Sequence, residues 1–242
     1  MKCTGLVSIA FLAIAQTAGA ASWSSLSITT TPENAPKVVA ATEKLMGSTI
    51  GKDFPGKLLL QAYLANGSDP ATHTFVPIYK SIAEGESFIQ KMQADAAWQE
   101  FQKTMTDVSQ PASQVLHRTL KQWGDIVDTD HVWMAHAFQV EDPPAFVAAL
   151  DALMASPTGK KFPGQVYLSE VVAGGISPVT HVISVGYDSE AEMDSWTKVR
   201  DASSDWSTYL TASRKSATYL GGSLARDVKS WGAATLKDLT AP

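Results

Sequence analysis

The sequence is almost free of cysteine, since Cys3 is the only one in 242 residues. A single cysteine excludes an intramolecular disulfide framework, a zinc site built from thiolates and an iron–sulfur cluster. Positive charge is also scarce: 19 lysines and arginines stand against 24 acidic residues, the formal net charge is −5, and no basic run occurs. Such a chain is a poor candidate for binding nucleic acid or an anionic membrane surface.

Long hydrophobic runs are absent as well. Hydrophobic residues make up 45% of the chain, but none of its segments approaches the ~20 apolar residues that a membrane span requires. The sequence also lacks a phosphate-binding loop, a dinucleotide glycine motif, a Gly-x-Ser-x-Gly nucleophile motif and a helical zinc motif. We therefore expect a globular protein without a membrane span, a metal site or a recognisable cofactor.

The first twenty residues have the composition of a secretory signal. Met1-Lys2 provides a positive start, Leu6 to Ala15 are largely apolar, and Ala18-Gly19-Ala20 offers small residues at both specificity positions of a signal-peptidase site. We predict cleavage after Ala20, which removes Cys3. The mature protein is then expected to be periplasmic or secreted.

The rest of the chain is an internal repeat. Residues 37–124 align without a gap on residues 145–232, at an offset of 108, and roughly a third of the aligned residues are identical. The clearest block is Gly-Lys-x-Phe-Pro-Gly, at 51–56 and again at 159–164. A unit of this length is a domain rather than a solenoid repeat. We predict a signal peptide at 1–20, a first repeat at 21–128 and a second repeat at 129–242.

Both repeats predict the element order β-α-β-β-α-β, which is that of a ferredoxin-like unit. The apolar pattern, turns and caps place the elements. The predicted strands are 26–31, 57–65, 72–79 and about 113–121 in the first repeat, and 131–140, 165–173, 180–187 and about 221–229 in the second. One helix follows Pro36 or Pro144, and a long second helix begins near Ser81 or Ser189.

This duplicated α+β pattern resembles the dimeric α+β barrel superfamily. That superfamily includes cofactor-independent monooxygenases, stress-responsive barrel proteins and haem proteins of the chlorite dismutase type. The resemblance implies two four-stranded sheets that face each other around a central cavity, as a pseudo-dimeric barrel. It rests on element order and duplication, so it implies the fold and not a particular activity.

Two pairs of residues that recur in both repeats are candidate ligand-binding residues. His73 and His181 are one pair, and each either faces a ligand or bonds the nearby hairpin. Arg118 and Arg226 are the other pair, on apolar strands, where each either binds a carboxylate ligand or pairs with a local acid.

Differences between the repeats supply further candidates. His136 lies on a strand face where the first repeat has Ile28, and is a candidate ligand-binding residue. Glu170 replaces Ala62, and the hairpin register places it opposite His181. We predict that Glu170 and His181 form a catalytic dyad, the alternative being an exposed cross-strand pair.

For function, the sequence favours binding of a small apolar or aromatic molecule in the cavity between the repeats. A cofactor-independent monooxygenase-like enzyme is the alternative, so whether the chain is an enzyme stays open. A haem protein of the chlorite dismutase type is less favoured, since those proteins carry a helical axial histidine in the second half. Here His131, His136 and His181 all fall in predicted strands. The identity of the ligand, the pathway and homo-oligomer formation are not determined by the sequence.

Overall fold

The computed structural model of the protein describes residues 21–175 and 178–240. The predicted signal peptide therefore lies outside the described residues. Within the described ranges, every helix is too short or too polar to cross a membrane.

The first half has four strands and four helices. Its strands are β1 (Ser22–Thr30), β2 (Lys57–Ala65), β3 (His73–Tyr79) and β4 (Ser109–Gly124), and its helices are α1 (Ala35–Gly47), α2 (Thr49–Lys52), α3 (Ile82–Gln93) and α4 (Ala96–Val108).

The second half repeats this order at the predicted offset. Its strands are β5 (Val132–Val140), β6 (Gln165–Gly174), β7 (His181–Tyr187) and β8 (Ala217–Trp231), and its helices are α5 (Pro143–Ala155), α6 (Glu190–Asp201) and α7 (Ser204–Ser213). A 3₁₀ turn, Gly159–Lys161, stands in the place of α2, and a short helix α8 (Leu236–Thr240) follows β8.

The eight strands form one closed antiparallel barrel in the order β1-β3-β2-β8-β5-β7-β6-β4. Each half contributes four neighbouring strands, and the halves join at two seams, β2 with β8 and β4 with β6. The prediction of two ferredoxin-like sheets in a pseudo-dimeric barrel is confirmed. The helices pack outside the barrel, and each half has its own core between helices and sheet, centred on Leu60 in the first and on Phe146 and Leu168 in the second.

The predicted long second helix is wrong, because each half has two helices there. Ser81 and Ser189 are N-caps as predicted, and each accepts a hydrogen bond from a backbone N–H three residues later. A second cap then begins a new helix: the Asp95 carboxylate accepts from the N–H of Ala97, and the Ser203 hydroxyl accepts from that of Asp205. Short polar side chains favour such caps over a helix interior, and so they divide the helix.

The recurring Gly-Lys-x-Phe-Pro-Gly block has a packing role. A Cβ at Gly51 would lie 2.1 Å from the Leu45 carbonyl oxygen, and one at Gly159 would lie 2.1 Å from that of Leu153. Gly56 and Gly164 approach the backbone of β3 and β7 as closely. The block therefore persists in both halves because the chain passes too close to a neighbouring backbone for any side chain.

Candidate functional site

The space between the two sheets is mostly filled. The barrel interior holds large and polar side chains that bond each other: the Trp23 indole donates to the Ser169 hydroxyl at 3.0 Å, and the Gln61 amide donates to Asp227 at 2.9 Å. Leu236 of α8 also lines the interior. The remaining cavity is about 110 Å³, which is small beside the ~300–1,000 Å³ of typical ligand sites.

Two larger cavities lie outside the barrel, between its wall and the helices. The first-half cavity, of about 780 Å³, lies between the sheet and α1, α3 and α4. The second-half cavity, of about 350 Å³, lies between the sheet and α5, α6 and α7. Both have the size of ligand sites, so the duplicated fold provides two candidate sites rather than the single central one predicted.

The second-half cavity is walled by aromatic rings from both layers. Its aromatic lining comprises Phe138, Phe162, Tyr187, Trp196, Trp206, Tyr209 and Tyr219. Several of these rings pack on each other: Phe162 meets Trp196 edge-on at 5.1 Å between centroids, and Trp206 stacks on Tyr209 at 5.0 Å. Such walls favour a flat aromatic ligand.

His136 is the histidine in this cavity. The period of two along β5 points it to the helix side, where its ring lies 5.9 Å from that of Tyr219. Burial, and to a smaller extent the positive charge of Arg200, lower the pKa of the His136 imidazole to about 4. The imidazole is therefore neutral at pH 7 and can accept a hydrogen bond.

The cavity also carries positive charge. The Arg200 guanidinium lies over the Trp206 ring at 4.8 Å, and its Nε donates to the exposed Asp201 carboxylate at 2.9 Å. Arg214 is a second arginine in the lining, while none of the described lining residues is an aspartate or glutamate. An anionic group on a ligand would thus meet two arginines at the wall, of which Arg200 already pairs with the neighbouring Asp201.

The same positions of the first-half cavity are uncharged. At the offset of 108, Ile28 stands for His136, Met92 for Arg200 and Pro111 for Tyr219, and Thr106 stands for Arg214. The two cavities share a backbone frame and differ in the residues that carry chemistry. The duplication has therefore produced one cationic site and one neutral site.

The predicted register of Glu170 and His181 is confirmed, because the two are direct partners on β6 and β7. The Glu170 carboxylate, however, is bonded to Arg118 across the β4–β6 seam. The His181 Nδ1 lies 2.9 Å from the Thr180 hydroxyl. Burial lowers the pKa of His181, and the Glu170 charge opposes that shift. The structure thus brings together Glu170, Arg118 and His181, with the ion pair at the seam as the closest contact.

The other predicted residues lie apart from the second-half cavity. The His73 Nδ1 lies 3.0 Å from the Thr72 hydroxyl, and His73 faces Ala62 as expected. Arg226 is bonded to Glu190 at the start of α6, with Nε to Oε1 at 2.7 Å. Of the predicted ligand-binding residues, the structure places His136 in a large cavity, while both arginines make local ion pairs.

Sequence reasoning missed Arg200 and Tyr219. Arg200 lies on a polar helix and Tyr219 on the last strand, so neither stands out in a reading of its own element. The signal was in the alignment of the repeats, where Met92 aligns with Arg200 and Pro111 aligns with Tyr219. These differences could be recognised as a site only in the structure, where His136, Arg200 and Tyr219 come from separate elements and line the same cavity.

No protein-family model matches the chain, and no curated protein matches its sequence. Solved structures are similar in fold. An anthrone oxidase-like protein aligns with a TM-score of 0.58 at 12% identity, over 94% of this chain and 98% of its own. A proposed monooxygenase from Lactobacillus acidophilus aligns with a TM-score of 0.60 at 10% identity, over 90% and 98%. A haem-binding protein from Thermus thermophilus aligns with a TM-score of 0.54 at 8% identity, over 87% and 92%. At these identities the likeness shows the fold alone.

The second-half cavity does not fit the haem arrangement that the sequence resemblance implied. That arrangement needs an axial histidine on a helix of the second half. Helices α5 to α8 contain none, and His136 comes from a strand. Likewise, residues 21–175 and 178–240 contain no cluster of three side chains that could hold a metal ion.

Proposed function

We propose that this chain, which has the dimeric α+β barrel fold, binds a small aromatic acid or phenol in the second-half cavity. The observation that carries the proposal is the convergence of Arg200, His136 and Tyr219 in a cavity otherwise walled by aromatic rings. The rings hold the flat body of the ligand, Arg200 binds its anionic group, and the neutral His136 accepts a hydrogen bond from its hydroxyl. An acidic ligand would also offset the Arg200 charge and so raise the pKa of His136.

The test is a calorimetric titration with 1-hydroxy-2-naphthoate and with its methyl ester, which lacks the carboxylate. We expect the acid to bind more tightly than the ester. Arg200→Met, the residue of the first half, should weaken binding of the acid by about ten- to hundredfold, because a hydrogen bond to a charged group is worth about 1.5–3 kcal/mol. Arg226→Met removes an arginine outside the cavity and is the matched control. Equal affinities for wild type and Arg200→Met would contradict the proposal.

Cofactor-independent oxidation at this same cavity is the second candidate function. It is favoured by the neutral imidazole of His136 in a cavity walled by aromatic rings, and fold neighbours include an anthrone oxidase-like protein. In such a reaction His136 would accept a hydrogen bond from the hydroxyl of the enol form of anthrone, and one O₂ would convert one anthrone to one quinone and one water. We expect stoichiometric oxygen uptake with anthrone, lost in His136→Ile. Binding of anthrone without oxygen uptake would contradict the oxidation and support the binding function only.

Export belongs to the same proposal, since the predicted signal at residues 1–20 would deliver the protein to the periplasm or outside the cell. N-terminal sequencing of the protein from those fractions should begin at Ala21. A mature protein that retains Met1 and stays inside the cell would contradict this part.

A further inference from the structure

We propose that the first-half cavity is a second ligand site, specific for an uncharged and largely apolar molecule. This goes beyond the proposed function, because it concerns another cavity and the opposite ligand polarity. Its volume is about 780 Å³, against about 350 Å³ for the second-half cavity. A volume of this size suits a ligand of several rings.

The polarity of the site follows from its lining. Every described lining residue is neutral, and the polar groups belong to threonine, serine and glutamine side chains, to the Tyr79 hydroxyl and to the Trp98 indole. Where the second half has His136 and Arg200, the first has Ile28 and Met92. An anionic ligand here would be buried without a counter-charge, which is strongly unfavourable. The lining therefore selects for a neutral ligand.

The nature of the wall supports a binding role over a packing defect. Met46, Met92 and Met105 all line the cavity, and methionine adapts its shape to irregular apolar partners. Met92 and Met105 align with Arg200 and Ser213 of the second half, so these two methionines are particular to the first-half cavity, while Met46 aligns with Met154. Water in such an apolar space makes few hydrogen bonds and is readily displaced by an apolar ligand.

The fold also holds the cavity open. Gly85 of α3 lies against the Tyr79 ring, where a Cβ would be 2.9 Å from the nearest ring carbon. The start of α3 is thus already in contact with β3, and its Ser81 cap fixes it there. Its last turns, with Ile89 and Met92, line the cavity, and Ile89 remains 40% exposed. The helix cannot move closer to the sheet at its start, so its end stays above the open space.

The test uses two fluorescent probes with the same aromatic frame. N-phenyl-1-naphthylamine is uncharged, and 8-anilino-1-naphthalenesulfonate carries a sulfonate. We expect the full chain to bind the uncharged probe in the first-half cavity. Met92→Arg, the second-half residue, should weaken that binding about tenfold or more, because it buries a charge beside an apolar ligand. Met92→Leu, which keeps the site neutral, is the matched control and should leave the affinity within about twofold.

A second readout locates the probe without relying on the arginine variant. Trp98 lines the first-half cavity and Trp206 its counterpart. Energy transfer from tryptophan to the bound neutral probe should fall in Trp98→Phe and persist in Trp206→Phe. Loss of transfer in Trp206→Phe alone, or an unchanged affinity in a folded Met92→Arg, would overturn the proposal. If Met92→Arg does not fold, the two tryptophan variants decide.

Discussion

At the scale of single residues, an ion pair with Arg118 changes the role that the strand register suggests for Glu170. Glu170 and His181 are opposed on neighbouring strands, as a dyad requires. Arg118 reaches the same carboxylate from β4, which belongs to the other half of the chain. Because the Nε and a terminal nitrogen of Arg118 both contact Oε1 of Glu170, and a hydrogen bond between two charged groups is strong, Arg118 is the stronger partner. The dyad thus stays a prediction, with Arg118 as a third member.

Glu170→Gln measures how strongly the pair is coupled. The negative charge of Glu170 raises the pKa of His181 against the effect of burial, so its removal should lower that pKa. The unpaired Arg118 would act in the same direction. The measurement is an NMR titration of His181, with His73, which faces Ala62, as the internal control. An unmoved His181 pKa would end the dyad hypothesis.

His117 predicts a pH dependence of stability. It stacks on Trp23 at 3.7 Å inside the barrel, and burial lowers its pKa to about 4. Since the unfolded chain takes up a proton near pH 6.5 and the folded state does not, stability falls as the pH drops from about 6.5 to 4.

His117→Phe keeps the stacked ring and removes the titration. Between pH 7 and pH 4, the unfolding free energy of wild type should fall by about 2–3 kcal/mol more than that of the variant. Urea denaturation of both proteins across this range measures the difference. The difference between the two proteins removes the contributions of groups that titrate in both, such as Asp227, whose pKa is raised to about 6 by burial and whose effect on stability is opposite. A difference that does not change with pH would contradict the account.

At the scale of elements, the recurring glycine block determines how helix and strand meet. Gly159→Ala should lower the free energy of unfolding by about 1–3 kcal/mol or more, because its methyl group meets the Leu153 carbonyl oxygen. Gly47→Ala is the matched control: it ends α1 with nothing within 4 Å of an added Cβ. It should be neutral or stabilising by up to about 1 kcal/mol. Chemical denaturation of the two variants distinguishes a packing constraint from helix propensity.

At the scale of the whole molecule, the two seams make each half depend on the other. Residues 21–128 alone would leave β2 and β4 as open edges and expose the inner face of the sheet. We expect this fragment to form homodimers or to aggregate, because a second copy can supply the missing strands. Light scattering after gel filtration measures its mass. A stable, soluble monomer would show that the barrel is not required for folding.

The sequence by itself determined the duplication, the order of the strands and the hairpin registers, because these follow from local periodicity, turn residues and a constant offset. The sequence did not predict the division of the second helix, since Asp95 and Ser203 can act either as N-caps or as ordinary helical residues, and only the backbone conformation decides between the two. The sequence also identified His136 as a difference between the repeats. Only the tertiary structure decided that Arg200 and Tyr219, from α6 and β8, meet His136 in one cavity. The same packing filled the barrel interior and left open space under the helices. Cavities depend on the volumes of side chains that are distant in sequence, which no local pattern records.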